Sequence, residues 1–259
     1  MEPPVLPWLF CLLMFLGMLI MLELGRRVAV RRRLKDPEDD KGGLGTVEAA
    51  IFAIFGLIVA FTFSGAATRF NEKRTLIAEE ANAIEKAYLR LLLLPAESQP
   101  HFQELFRKYV DSRLETYRRL PNLKAAEQEM ARSKKFQEEI WTEAIGGTIR
   151  SGSHPDSGKL LLPALNEMFD IATTRTMALQ QHPPSIIYTL LFLLGLLCSL
   201  LAGFRMAGSK HRSWLHILAF PVITVAITYV ILNVEYPRAG LIRLEASEQL
   251  LLNVRQEMH

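Results

Sequence analysis

The chain of 259 residues has 50% hydrophobic side chains, 22% charged ones, a net charge of +3 and a mean hydropathy of +0.16. The average hides a split between four windows nearly free of charge and a strongly polar remainder. The basic residues gather beside the apolar windows instead of forming one face. That pattern is the one membrane proteins use, and it excludes the electrostatic footprint of a nucleic-acid binder.

In chain order, the first window covers residues 7–24 (PWLFCLLMFLGMLIMLEL). Residues 1–7 carry Glu2 and no Lys or Arg, and no small-residue cleavage site follows, so an uncleaved anchor helix is expected rather than a secretory signal. The second window, residues 47–70, is apolar from Ala49 to Phe63 and then small at Ser64, Gly65, Ala66 and Ala67. It passes without a Pro or Gly cluster into the charged segment RFNEKRTLIAEEANAIEKAYLRL. A helix that leaves the bilayer and continues through water ties a membrane bundle to a soluble domain. The third and fourth windows cover residues 186–207 and 214–234. Each approaches the roughly 20 apolar residues that cross ~30 Å of hydrocarbon. The runs are continuous rather than alternating, so they predict helices, which satisfy their own backbone in lipid.

Residues 71–183 read as helical and polar. Leu105, Phe106, Tyr109, Val110, Leu114 and Tyr117 recur at three- and four-residue spacing, which predicts an amphipathic helix. Leu94-Pro95 and Leu120-Pro121 punctuate the region, with Ser98 and Asn122 as expected N-caps. Residues 122–145 and 159–181 predict two further helices, separated by a loop from Gly146 to Gly158. Residues 237–259 predict a short amphipathic helix.

Catalytic chemistry needs convergent polar groups in defined roles, and none emerges. The segment GSHPDSGK ending at Lys159 lacks the spaced glycines of a phosphate loop, and Leu160 stands where Ser or Thr is required. Asp36, Glu38, Asp39 and Asp40 lack calcium-loop spacing and read as a solvated loop. The six histidines are scattered, so no metal or other cofactor is expected. Cys11 and Cys198 lie inside apolar windows and read as packed hydrophobes. Glu79 and Glu80 read as solvated or ion-paired carboxylates. Within the membrane windows Glu48, Thr62, Ser64, Thr68, Thr224, Thr228, Asn233 and Glu235 are polar. They are candidates for a pathway or simply for bonds to neighbouring backbone. Phe52, Phe55, Phe61 and Phe63 face either lipid or a dewetting gate. An enzyme is not expected.

The segment IFGLIVAFTFSGAATRFNEKRTLIAEEANAIEKAYLRL resembles the second transmembrane helix of the bestrophin family, especially the bacterial bestrophin-like membrane proteins. The order of elements is also similar: two spans, a helical domain, two spans, a tail. The resemblance implies a homo-oligomeric channel for inorganic ions, pentameric in bestrophins, lined by the second span. Its neck pattern, a large apolar side chain every four residues, falls on Leu57, Phe61 and Gly65. Gly65 breaks it, so Leu57 and Phe61 are the expected constriction, with Thr62, Ser64, Gly65 and Thr68 as the expected pore lining.

The expected fold is therefore an all-α membrane protein with four transmembrane helices and an extramembrane helical domain inserted between the second and third. Its parts are residues 1–70 with a basic loop at 26–45, the domain 71–183, the spans 184–236 and the tail 237–259. Its partners would be membrane lipid, further copies of itself and ions, in a bacterial inner membrane. Arg26, Arg27, Arg31, Arg32, Arg33, Lys35 and Lys41 after the first span, with Arg205, Lys210 and Arg212 after the third, favour a cytoplasmic side for those loops. The helical domain would then face outward, whereas the family keeps it in the cytosol. A non-conducting membrane scaffold or sensor, with the helical domain binding a partner, is the alternative function.

Overall fold

The computed structural model describes residues 7–35, 44–119, 122–206, 214–236 and 245–258. The acidic cluster at residues 36–40, the basic residues Lys41, Lys210, Arg212, Arg238 and Arg243, and the Leu120-Pro121 break lie outside them. Among the described residues every regular element is helical. In order these are α1 (Pro7–Lys35), α2 (Leu44–Leu89), a 3-10 turn (Arg90–Leu93), α3 (Gln99–Arg118), α4 (Leu123–Thr148), α5 (Ser157–Gln180), α6 (Ser185–Met206), α7 (Trp214–Glu235) and α8 (Glu245–Glu257). Among the described residues four helices are long and apolar enough to cross a membrane. The chain divides into two compact units, one of residues 1–68 and 182–241, the other of residues 69–181 and 242–259.

In the first unit α1, α6 and α7 pack together. α1 does not stop at residue 24. It runs on to Lys35 because Glu23 pairs with Arg26 and Arg27 three and four residues ahead (3.3 and 2.9 Å), which carries the helix through its basic stretch. The α1–α6 seam is built on glycine. A Cβ at Gly25 would stand 2.0 Å from the Leu200 carbonyl oxygen, and one at Gly203 would stand 1.9 Å from that of Leu22. One octet earlier, Gly17 meets Leu196 and Gly195 meets Met14. These pairs ascend together along both helices, so α1 and α6 run parallel. Lipid gives helices no hydrophobic reason to associate, and close backbone approach at small residues supplies the attraction instead.

The α2 segment of this unit joins through side chains. Phe52 and Phe55 meet Phe220 of α7 with ring centroids 5.6 and 6.5 Å apart. Phe55 also shares a buried cluster with Leu191 and Cys198, and Ala66 shares another with Cys11, Tyr188, Ile231 and Leu232. Both cysteines are free and buried. At one end of the unit Glu48 of α2 meets Arg205 of α6 at 2.6 Å. At the other, His182 Nδ1 lies 3.1 Å from a carboxylate oxygen of Glu235, which is fully buried, and its ring stacks on Tyr236.

The second unit packs α3 against α4, α4 against α5 and α8 against α3. Its core holds Ala83, Ile84 and Ala87 of α2, Phe102, Phe106, Tyr109 and Val110 of α3, Ile140 of α4, Leu161 and Leu165 of α5, and Leu251 of α8. Asn122 caps α4 by accepting from the Ala125 N–H at 3.2 Å, whereas Ser98 precedes α3 without a side-chain cap bond. The expected loop from Gly146 starts later than its glycines suggest. α4 continues through Gly146 and Gly147 to Thr148, because Gly147 serves packing: a Cβ there would lie 3.3 Å from Leu94 and 3.5 Å from Phe102. The loop glycine is Gly152, whose φ of 92° suits a residue without Cβ. Arg255 of α8 donates to both carboxylate oxygens of Asp111 (2.7 and 3.0 Å), which pins the C-terminal helix to α3.

Candidate functional site: the free face of α2

α2 is one helix of 46 residues, about 69 Å long at 1.5 Å per residue. That is more than twice the ~30 Å of hydrocarbon, and only its first half is apolar enough to cross such a layer. Its spanning window is the least covered of the four. Only 17% of it is buried within the chain, against 28% in the first span and 33% in the third and fourth.

The exposure is organised. Ala50, Ile54, Leu57, Phe61, Ser64 and Thr68 follow each other at three- and four-residue steps and all are exposed, Phe61 at 68%. Such spacing defines one face of a helix. A second exposed line runs beside it through Ala49, Ala53, Gly56 and Ala60. Nothing lies within 4 Å of where a Gly56 Cβ would be. The remaining flank, with Phe55, Thr62 and Ala66, is buried in the chain's own bundle. α2 thus carries a packed flank, an exposed line of small residues with the exposed Phe63 beside it, and a line of large apolar residues giving way to hydroxyls.

The residues singled out in the sequence fall on these faces as follows. Leu57, Phe61, Ser64 and Thr68 share the exposed face, and Gly65 is half-buried at its edge. Thr62 sits on the packed face, 8% exposed, and its hydroxyl donates to the Ile58 carbonyl at 2.7 Å. In α7, Thr228 donates likewise to the Thr224 carbonyl and Asn233 to that of Tyr229, so both satisfy themselves on the preceding turn. Pro221 stays inside α7. Among the described residues no group of three His, Cys, Asp or Glu is placed to hold a metal.

A buried ionic cluster went unrecognised in the sequence. Glu80, fully buried on α2, accepts from Arg113 Nε of α3 and Arg175 Nη1 of α5, each at 2.5 Å. Arg113 also donates to the Tyr117 hydroxyl and, at 3.2 Å, to the Ala172 carbonyl, and the Arg175 guanidinium stacks 3.5 Å from the Tyr117 ring centroid. Burial alone would raise the Glu80 carboxyl, but the two guanidinium groups outweigh it and hold it below the usual carboxylate range. Glu79, its neighbour, points to solvent. The signal that separates the two is the helical period: Glu80 lies three residues after Ile77 and four before Ile84, both buried, and Glu79 does not.

Comparison with known proteins agrees with this layout. The model of the Bestrophin-like domain matches residues 11–248. This chain belongs to the Bestrophin-like family. A crystal structure of a variant of a bacterial bestrophin homologue from Klebsiella pneumoniae superposes with a TM-score of 0.63 at 17% identity, covering 94% of this chain and 98% of that one. A second structure of the Klebsiella pneumoniae homologue, phased on zinc, gives 0.60 at 17% identity over 92% and 97%. At that identity the likeness is one of fold. A sequence search of curated proteins finds no match. The chain thus has a bestrophin-like fold with four candidate membrane-spanning helices among the described residues.

Proposed function

We propose that this Bestrophin-like chain assembles into a ring of identical subunits that conducts ions, with α2 of each copy lining the shared axis. The observation that carries the proposal is the three-faced α2. Its packed flank holds its own chain, its small flank admits a neighbouring α2, and the face between them points at the axis. Small residues allow such close approach in lipid. Leu57 and Phe61 then form the constriction, an apolar ring pair that gates by excluding water. Ser64 and Thr68, with Gly65 at the edge, line the pore beyond it, and Thr62 belongs to the packing behind. The second unit, residues 69–181 between the second and third spans together with the C-terminal residues 242–259, is the extramembrane helical domain. The basic α1 C-terminus and Arg205 favour the cytoplasmic side of a bacterial inner membrane for that end of the bundle.

The test is a bilayer recording of the purified wild type beside the Leu57→Ala, Phe61→Ala double variant. Removing both rings abolishes the dewetted segment, so unitary conductance and open fraction should rise. Wild-type conductance and gating in the double variant would refute the constriction.

A further inference from the structure

α1 carries one exposed line along most of its length. Leu13, Leu16, Ile20 and Leu24 follow each other at three- and four-residue steps, and Arg27 and Arg31 continue the same line; all six are exposed. Apolar surface thus turns into guanidinium without changing face. Leu19, Ile20, Glu23, Leu24 and Arg27 line a shallow groove of about 420 Å³ on this side. Glu23 accepts from Arg27 Nε at 2.9 Å, which holds the guanidinium at the rim of the groove and leaves its two terminal nitrogens to donate. Arg31, one turn further on, takes part in no ion pair among the described residues. Trp8, exposed near the other end of α1, lies about 29 Å from Arg27 along the axis. Aromatic rings gather at the membrane–water boundary, and the hydrocarbon between the two boundaries is ~30 Å thick. Arg27 therefore stands at the opposite headgroup layer, with Arg31 about 6 Å further out.

We infer that this line of α1 is a docking site for an anionic phospholipid, with its phosphate held between Arg27 and Arg31 and an acyl chain laid along Leu24, Ile20, Leu16 and Leu13. Leu13 to Leu24 covers about 16 Å, close to the depth of one leaflet. Guanidinium groups fit phosphate oxygens in a fixed fork, which an ammonium does not. A headgroup with net negative charge is preferred to a zwitterionic one, whose own ammonium offsets the attraction of the two arginines. A second copy of the chain suits the line less well. The acids described in the first unit, Glu23, Glu48 and Glu235, each have a basic partner within the chain, so a neighbouring bundle offers Arg31 no spare carboxylate. Free phosphate would leave the leucine stretch of the same line unused. The site lies wholly in the first unit and needs only that α1 span a membrane, so it stands apart from the α2-lined ring.

The experiment titrates the full chain, in a non-ionic detergent, with dioleoylphosphatidylglycerol, dioleoylphosphatidylcholine or inorganic phosphate, and counts bound lipid by native mass spectrometry. Wild type is compared with Arg31→Gln, which has no ion pair to lose, with the Arg27→Gln, Arg31→Gln double variant, and with Arg31→Lys. The expected result is several-fold tighter binding of phosphatidylglycerol than of phosphatidylcholine by the wild type. That preference should shrink in Arg31→Gln, vanish in the double variant and partly return in Arg31→Lys, with helix content and oligomer mass unchanged. Equal binding of the two lipids by the wild type, or an undiminished preference in the double variant, overturns the inference. Inorganic phosphate that displaces phosphatidylglycerol at matched concentration overturns the lipid as occupant. An oligomer mass that falls in Arg31→Gln while lipid binding holds assigns the line to a second copy and overturns it likewise.

Discussion

Glu79 and Glu80 show how much a single position on a helix decides. One carboxylate faces solvent on the free side of α2, and the other is sealed between two arginines from α3 and α5. Breaking a buried ion cluster from one side strands the remaining charge, at a cost of about 3–5 kcal/mol. Glu80→Gln should therefore lower the stability of the detergent-solubilised protein by that amount at neutral pH, read from thermal or denaturant unfolding. The sign with pH follows from the direction of the shift. The Glu80 carboxyl is held below its ordinary value of 4.5, so its contribution is whole above that value and is lost as pH falls through the folded pKa. The gap between wild type and variant should be constant from neutral pH down to near 4.5 and close only below it. A gap that closes at neutral pH would contradict the assignment. At this scale the sequence was legible in its apolar positions and much less so in its charged ones. Tyr109 and Tyr117 were readable as buried from their spacing, but Arg113 sits among them on the same face, and composition does not name the acid it meets 33 residues away. Thr62 has the same lesson in reverse. Its neighbours Phe61 and Phe63 are exposed while it is buried, because 100° per residue turns it into the bundle.

Among the elements, the α1–α6 seam and the free face of α2 place glycine in opposite roles. Gly203 has the Leu22 backbone where its Cβ would go, while Gly56 has open space. Gly203→Val should prevent the first unit from packing and appear as loss of folded, monodisperse protein. Gly56→Val should leave the fold intact and instead weaken assembly, since in the proposed ring that small flank meets a neighbour. A Gly56→Val variant that assembles like the wild type would refute the small flank as the contact between copies. The four spans and the long α2 were legible because continuous apolar runs and the lack of helix breakers act locally. The seam was not. Gly17 with Gly25, and Gly195 with Gly203, share an eight-residue spacing, but a pairing between helices nearly 180 residues apart leaves no local trace. The loop expected from Gly146 starts only after Thr148 for the same reason, since Gly147 answers to Phe102 and Leu94 rather than to a turn.

For the molecule as a whole, the family is settled by a match over residues 11–248, and the fold by superposition on bacterial bestrophin homologues. What a single chain leaves open is the covering of α2, whose spanning window is 17% buried against about twice that in the last two spans. A face of Ile54, Leu57 and Phe61 can rest in lipid, and the proposed ring instead gives it, with the Ser64 and Thr68 hydroxyls that continue it, a shared axis. The free face was partly legible: Leu57 and Phe61 emerged from the resemblance, while the small flank beside them required the helix's own burial pattern. The deciding measurement is the mass of the protein component in detergent, by light scattering with the detergent contribution removed. The ring of α2 helices predicts a single closed assembly of several 29.4 kDa subunits. A clean monomer would contradict it, and with it the shared-axis pore.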